Sequence, residues 1–233
     1  MKILVFGIHP DDIELGCGGT VAKCVRQGHE VSLVDLTRGE RSSNGTPEER
    51  ALEAQEAARL LGCAARGNLE LPDAAIQSEN PEHGRRVVSC IRQHRPDLVL
   101  FSSGDDPHPD HVAGGALIEH ALYLSGIYGY DSGGGEERWA VRQALLYPGR
   151  REIEAAVVVD VTDTFAAKLE AIQAHRTQFQ SHPGSRETPL NRPGFLELVE
   201  ARALASGHRI GVRYGEPFET LKPLGLRDLS VFE

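Results

Sequence analysis

Two short stretches hold the side chains whose types and spacing could do chemistry. GIHPDDIELGCGG, residues 7 to 19, places His9, Asp11 and Asp12 ahead of three glycines, and DDPHPDH, residues 105 to 111, holds His108, Asp110 and His111. Neutral imidazole and carboxylate are good donors to a divalent metal, and a zinc site that does chemistry commonly takes three protein ligands and keeps one position open. His9 and Asp12, three residues apart across Pro10, can aim at one point, and His111 is the natural third ligand. Asp11, beside a ligand but pointing elsewhere, could act as general base on a water whose pKa the ion lowers to about 7. His108 could stabilise an oxyanion or protonate a departing amine, and Asp110 could orient an imidazole. One HPDH could be a turn and helix cap alone, since Pro and Asp favour both. Two His-Pro-Asp tripeptides, each after a strand-like run, are harder to explain that way.

The glycines raise a competing reading. A strand, a turn and a glycine-rich helix start suit a pyrophosphate, and Asp35 sits where a ribose-binding acid belongs. No G-x-G-x-x-G follows the strand, however, and Asp11 and Asp12 would repel a phosphate. Gly16, Gly18 and Gly19 are better read as letting a helix approach the sheet closely. A nucleotide-binding protein therefore stands as the alternative of a different class. A metal-binding scaffold without catalysis is a third, which would leave Asp11 and His108 unused.

The elements that must position these residues alternate along the chain. KILVFGI (2 to 8) is a continuous apolar run, as in a strand buried on both faces. Leu15 to Gln27 reads as a helix closing at Gly28, then EVSLVDLT (30 to 37) as a strand. Thr46 as N-cap, Pro47, two glutamates and Gly62 delimit a helix from Pro47 to Leu61. Arg50, in its first turn, could reach over the strand ends or pair with Glu53; spacing does not choose. A short strand at Asn68 to Leu71, a helix from Pro81 to His94 and a strand at 97 to 103 follow, then a helix from Pro109 to about Leu124. Strand-like runs at 143 to 147 and 155 to 162 precede a helix from Asp163 to Phe179, a Pro/Gly-rich connector at 181 to 194 and a last helix ending near Gly207. GYDSGGGEER (129 to 138) reads as a flexible insertion, and His29, His83, His94, His120, His175, His182 and His208 as surface or helix-end histidines. This alternation predicts an α/β domain, a mainly parallel sheet sandwiched between helices, with ligands at the carboxyl ends of its strands.

At 233 residues the chain suits one domain, 1 to 233, with a substantial core. A formal charge of −9 argues against a nucleic-acid partner. Cys17, Cys24, Cys63 and Cys90 form no CxxC pair, and the apolar N-terminal run is too short for a membrane span, so a cytoplasmic protein with reduced thiols is expected.

HPDD with HPDH resembles the PIG-L/LmbE-like zinc-dependent N-deacetylases, over essentially the whole chain. DLTRGERSSNGTPEER, NLELPD, GSRETPL and GVRYGEPF look most like the bacillithiol-biosynthesis branch. The resemblance implies a Rossmann-like fold, one Zn²⁺ on His9, Asp12 and His111, Asp11 as base, His108 on the intermediate and leaving group, and a substrate contact at Arg50. It implies hydrolysis of the linear amide of N-acetylglucosaminyl malate, with other N-acetylglucosaminides such as chitooligosaccharides as the alternative. The expected partner is a small amino-sugar conjugate, with no nucleic acid and no membrane, and a homo-oligomer is expected. Many relatives read HPDDE where Ile13 stands here, followed by Glu14, and carry arginine where Pro107 stands.

Overall fold

The computed structural model describes residues 1–225 and 228. In chain order the elements are β1 (Lys2–Gly7), α1 (Asp12–Arg26), β2 (Glu30–Thr37), α2 (Pro47–Leu60), β3 (Arg66–Leu71), α3 (Pro81–His94) and β4 (Leu98–Ser102). Then come α4 (Pro109–Ser125), β5 (Gln143–Tyr147), β6 (Val157–Asp160), α5 (Phe165–Ala174), α6 (Arg176–Phe179), α7 (Phe195–His208) and β7 (Gly215–Thr220). The strands form one sheet in the order β3-β2-β1-β4-β5-β7-β6. The first five pair in parallel, and β7 runs antiparallel to both β5 and β6. The α/β class and mainly parallel sheet thus match the sequence reading.

Both faces of β1 are buried, as its unbroken apolar run requires. Leu4, Phe6 and Ile8 pack with Val87, Ile91 and Leu117 of α3 and α4 on one side. Ile3 and Val5 face Ile13, Val21, Ala57 and Ala171 of α1, α2 and α5 on the other. Within the parallel part of the sheet the strand order reverses at one place, because β1 lies between β2 and β4. Loops leaving such a pair turn away from each other and open a crevice between them. The two His-Pro-Asp stretches are those loops.

Several elements differ from expectation for local reasons. α1 starts at Asp12, three residues before Leu15, because Asp11 O already accepts the Leu15 N–H. Inside α1, Cys17 leaves helical geometry, at φ −146° and ψ 21°. Glu216 of β7 takes up the freed donors, accepting from Gly19 N at 2.9 Å and Thr20 N at 2.6 Å, and Lys168 Nζ lies 2.6 Å from its Oε1. A Cβ on Gly16 would enter the Tyr147 ring, so the glycines serve close packing of helix on sheet. The helix expected from Asp163 to Phe179 breaks at His175, and β7 had no counterpart in the sequence reading. The stretch 129–138, expected as a flexible insertion, is tied to α3 by the buried Arg92, which donates to the carbonyls of Tyr130 and Glu136 and of the preceding Ile127. Among the described residues no helix is long and apolar enough to cross a membrane.

A buried charge cluster sits behind the crevice. Arg66 grips both Asp35 oxygens at 2.7 Å and Glu14 Oε1 at 2.5 Å, and His175 Nε2 lies 3.3 Å from Glu14 Oε2. Asp35 is only 2% exposed, so it cannot receive a ribose, and the nucleotide reading loses its supporting acid. His175, expected at a surface or helix end, is at a helix end but wholly buried. Burial works against the Glu14 charge, yet Arg66 and His175 outweigh it and hold the carboxyl down at about 2. Removing one partner strands the others, so Arg66→Ala is expected to lower stability by about 3–5 kcal/mol in urea unfolding at neutral pH. A carboxyl left buried and alone binds its proton more tightly folded than unfolded, so the deficit should shrink as pH falls towards about 5.

Candidate metal centre and active-site cleft

Each key side chain sits at the carboxyl end of a strand or the first turn of the helix after it. β1 ends at Gly7 and delivers His9. The start of α1 delivers Asp11 and Asp12, and β4 leads to His108, the N-cap of α4, with Asp110 and His111 in that helix's first turn. The rings of His9, His108 and His111 lie within 4.9 to 5.4 Å of one another.

Asp12 bridges the two outer histidines. Its Oδ2 is 3.5 Å from His9 Nδ1 and accepts the His9 N–H at 2.8 Å, while its Oδ1 is 3.3 Å from His111 Nε2. One donor atom from each of His9, Asp12 and His111 falls within 4.8 Å of the others. His9, His108 and Asp110 satisfy the same distance. In that second set both Asp110 oxygens already accept backbone donors, the Ala74 N–H at 2.6 Å and the Ile76 N–H at 3.4 Å, and His108 Nδ1 is taken by the Asp110 N–H at 3.2 Å. Asp12 Oδ1, by contrast, accepts no backbone donor among the described residues. The first set therefore fits a divalent ion better.

The far nitrogens support this fit. His9 Nε2 lies 3.2 Å from Asp73 and 3.4 Å from Asp110, and His111 Nδ1 lies 3.3 Å from Asp106. A metal-binding imidazole normally has such a carboxylate behind it, fixing tautomer and orientation. Asp73 and Asp106 are the residues that sequence reasoning missed. Each is held by a backbone donor, Arg41 N on Asp73 at 2.7 Å and Arg150 N on Asp106 at 2.6 Å. Gly149 makes room for this, since a Cβ there would strike the Asp106 carboxylate.

Asp11 is buried, with its carboxylate turned to Arg50 Nη2 at 3.3 Å. Its backbone lies at φ 152°, ψ −21°, a conformation that L residues rarely adopt. Arg50 is buried too and donates to Pro10 O at 2.7 Å. The Glu53 pairing fails, because Glu53 instead accepts from Thr177 N and Thr177 Oγ1, at 2.8 and 2.7 Å. Burial lifts the Asp11 carboxyl above its ordinary range, with Arg50 opposing. For His9, burial opposes the charge, but Asp110, Asp12 and Asp73 win and raise it well above an ordinary histidine. The same contest at His111, settled by Asp12 and Asp106, raises it to about 10. His108 goes the other way, lowered by burial and then by the neighbouring histidines. A cleft of about 720 Å³ opens over these groups, with loop 148–153 and α7 forming its far wall.

The profile of the PIG-L family, described as GlcNAc-PI de-N-acetylase, matches residues 4–122, a span that contains both His-Pro-Asp stretches. The chain belongs to the PIG-L family. A conserved protein from Thermus thermophilus shares 34% identity and superposes with a TM-score of 0.86 over 99% of this chain and 98% of that one. The N,N'-diacetylchitobiose deacetylase of Pyrococcus horikoshii is 28% identical, with a TM-score of 0.77 over 94% of this chain and 83% of that chain. A relative from Bacillus anthracis, named probable N-acetyl-alpha-D-glucosaminyl L-malate deacetylase 2, is 28% identical over 85% of this chain and 90% of its own. PIG-L membership accounts for the shared fold.

Because His9 and His111 hold protons more tightly than free histidine, an incoming ion must displace them. Metal affinity is therefore expected to keep rising with pH above about 8, towards about 10 where His111 gives up its proton unaided, measured by competition with a chromophoric chelator. In the same assay Asp106→Asn should weaken binding about 10- to 100-fold, and His111→Ala should weaken it more.

Proposed function

We propose that the protein is a zinc-dependent hydrolase that removes the N-acetyl group from an N-acetylglucosamine conjugate, with N-acetylglucosaminyl malate as substrate. The observation that carries this reading is the convergence of His9, Asp12 and His111 with Asp11 and His108 at one end of a single cleft. Family membership supports the deacetylase reaction on a GlcNAc-type sugar. The Bacillus anthracis relative supports malate, and the Pyrococcus horikoshii enzyme favours a second reading, a chitooligosaccharide substrate.

In this reading His9, Asp12 and His111 would hold a divalent ion, whose chemistry would be Lewis acidity towards the acetyl carbonyl and the attacking water. Asp11 takes the proton of that water. Its raised carboxyl is a better proton acceptor than an exposed aspartate, and Arg50 fixes the direction in which it points. His108 Nδ1 is occupied by the Asp110 N–H, so its proton sits on Nε2, free to donate to the developing oxyanion. Re-forming the planar carboxyl group requires the amine to leave with a proton, and Asp11 returns the one it took from the water while His108 keeps its Nε2 proton on the oxygen. No covalent intermediate with the chain is needed.

The same proposal has the protein act in the cytoplasm, as a homo-oligomer, on a small molecule and without nucleic acid or membrane. The formal charge of −9 supports the exclusion of nucleic acid.

Acetate release across a panel of N-acetylglucosamine conjugates tests the function. The malate conjugate should turn over fastest, and equal inertness of every member would reject the reading. Asp11→Asn should keep its metal yet lose about 10²- to 10⁴-fold in kcat. Near wild-type turnover of that variant would remove Asp11 from the role of base.

A further inference from the structure

The floor of the cleft is strongly acidic. Asp11, Asp12 and Asp73 line it directly, and Asp106 and Asp110 stand just behind the imidazoles. An acidic ligand entering over this floor meets repulsion unless cations are placed beside it. Two arginines are so placed, and each is built into the metal centre through its backbone.

On one side Arg41 N donates to Asp73, the carboxylate 3.2 Å from His9 Nε2. On the other, Arg150 N donates to Asp106, the carboxylate 3.3 Å from His111 Nδ1. Arg150 is clamped at its carbonyl as well, which accepts Arg202 Nη2 of α7 at 2.7 Å. Both chains of contact end in an exposed arginine that lines the cleft. Neither guanidinium forms an ion pair or hydrogen bond among the described residues. Other arginines lining the cleft are placed differently: Arg50 holds Asp11 and Pro10 O, Arg151 pairs with Asp105, and Arg202 is spent on Arg150 O. Arg209, at the C-terminal end of α7, has no backbone tie to the metal centre among the described residues. Arg50, for which the sequence reading expects a substrate contact, also lines the cleft, 3% exposed and with its guanidinium on Asp11.

We propose that Arg41 and Arg150 determine specificity by holding an anionic group, carboxylate or phosphate, on the part of the substrate attached to the sugar. This rests on the deacetylase reading and adds the residues that select within it. Their backbones are registered to the two imidazoles, so each guanidinium swings from a fixed point beside the reacting amide. Such an arm needs only rotamer adjustment to meet a ligand, and a charge-assisted hydrogen bond formed over an acidic floor discriminates strongly against a neutral group. The cleft, at about 720 Å³, has room for a conjugate well beyond the acetamide.

The test compares kcat/KM of the metal-loaded enzyme for deacetylation of methyl N-acetylglucosaminide, N-acetylglucosamine 1-phosphate and N-acetylglucosaminyl malate. At least one acidic substrate should exceed the neutral glycoside by about ten- to a hundredfold, and which one does so separates phosphate from carboxylate. That ratio should fall towards one in Arg41→Gln and in Arg150→Gln, mainly through KM, and should recover in part in Arg41→Lys and Arg150→Lys. Added salt should shrink the wild-type ratio. Equal rates on all three substrates, or variants that slow all three by one factor, overturn the proposal while leaving the deacetylase reading intact. Absence of hydrolysis for every substrate overturns the deacetylase reading and this proposal with it.

Discussion

Charge crowding at the carboxyl ends of β1, β3 and β4 is the constraint on which the rest of the structure depends. Five carboxylates, from Asp11, Asp12, Asp73, Asp106 and Asp110, gather around His9, His111 and Arg50. Such a group is stable in a half-buried cleft only while cations are fixed among the anions. Without an ion, the two imidazoles supply this charge by holding their protons, which is why both titrate above an ordinary histidine. A divalent ion that displaces those two protons leaves the charge of the site unchanged. Two protons and one divalent ion would therefore be interchangeable in charge at this site.

Holding the anions in place draws on every nearby element. The order β2-β1-β4 brings two loops of distant sequence to one crevice. Backbone donors of Arg41, Ala74 and Arg150 fix Asp73, Asp110 and Asp106 from three different loops. Behind them, Arg66 ties Glu14 of α1 to Asp35 of β2, and Glu216 of β7 satisfies the donors freed by the kink at Cys17. Both devices act on α1, the helix whose first turn carries Asp12. Buried ion pairs are a poor source of net stability; here their effect is to fix where that turn sits on the sheet.

What could be read in the sequence follows from how local each signal is. HPDD and HPDH announce themselves because proline and aspartate start helices, and an apolar run before each marks the end of a parallel strand. Asp73 and Asp106 carry no such mark, since an aspartate in a loop is ordinary. One clue was available: Asp73 follows Pro72 directly after β3, at the same end of the sheet as the histidines. β7 was missed because GEPFET has glycine, proline and two glutamates, poor strand formers that antiparallel pairing with β5 and β6 overrides. The break at His175 was hidden for a similar reason. That residue serves Glu14 of α1, a partner from the far end of the chain, and no helix propensity records it.

Asp11 and Asp12 show how adjacent residues of one type come to serve different ends. Side chains of consecutive carboxylates on a regular helical turn would still repel at short range, and both would compete for the same cations. The backbone at Asp11 departs from the helix instead, at φ 152°, so that Asp12 faces the imidazoles while Asp11 faces Arg50. A conformation of this kind costs about 1–3 kcal/mol. The Arg50 contacts to Asp11 and to Pro10 O, on either side of the strained peptide, are what offset it. The guanidinium that directs the carboxylate thus also holds the chain in the shape that separates it from its neighbour.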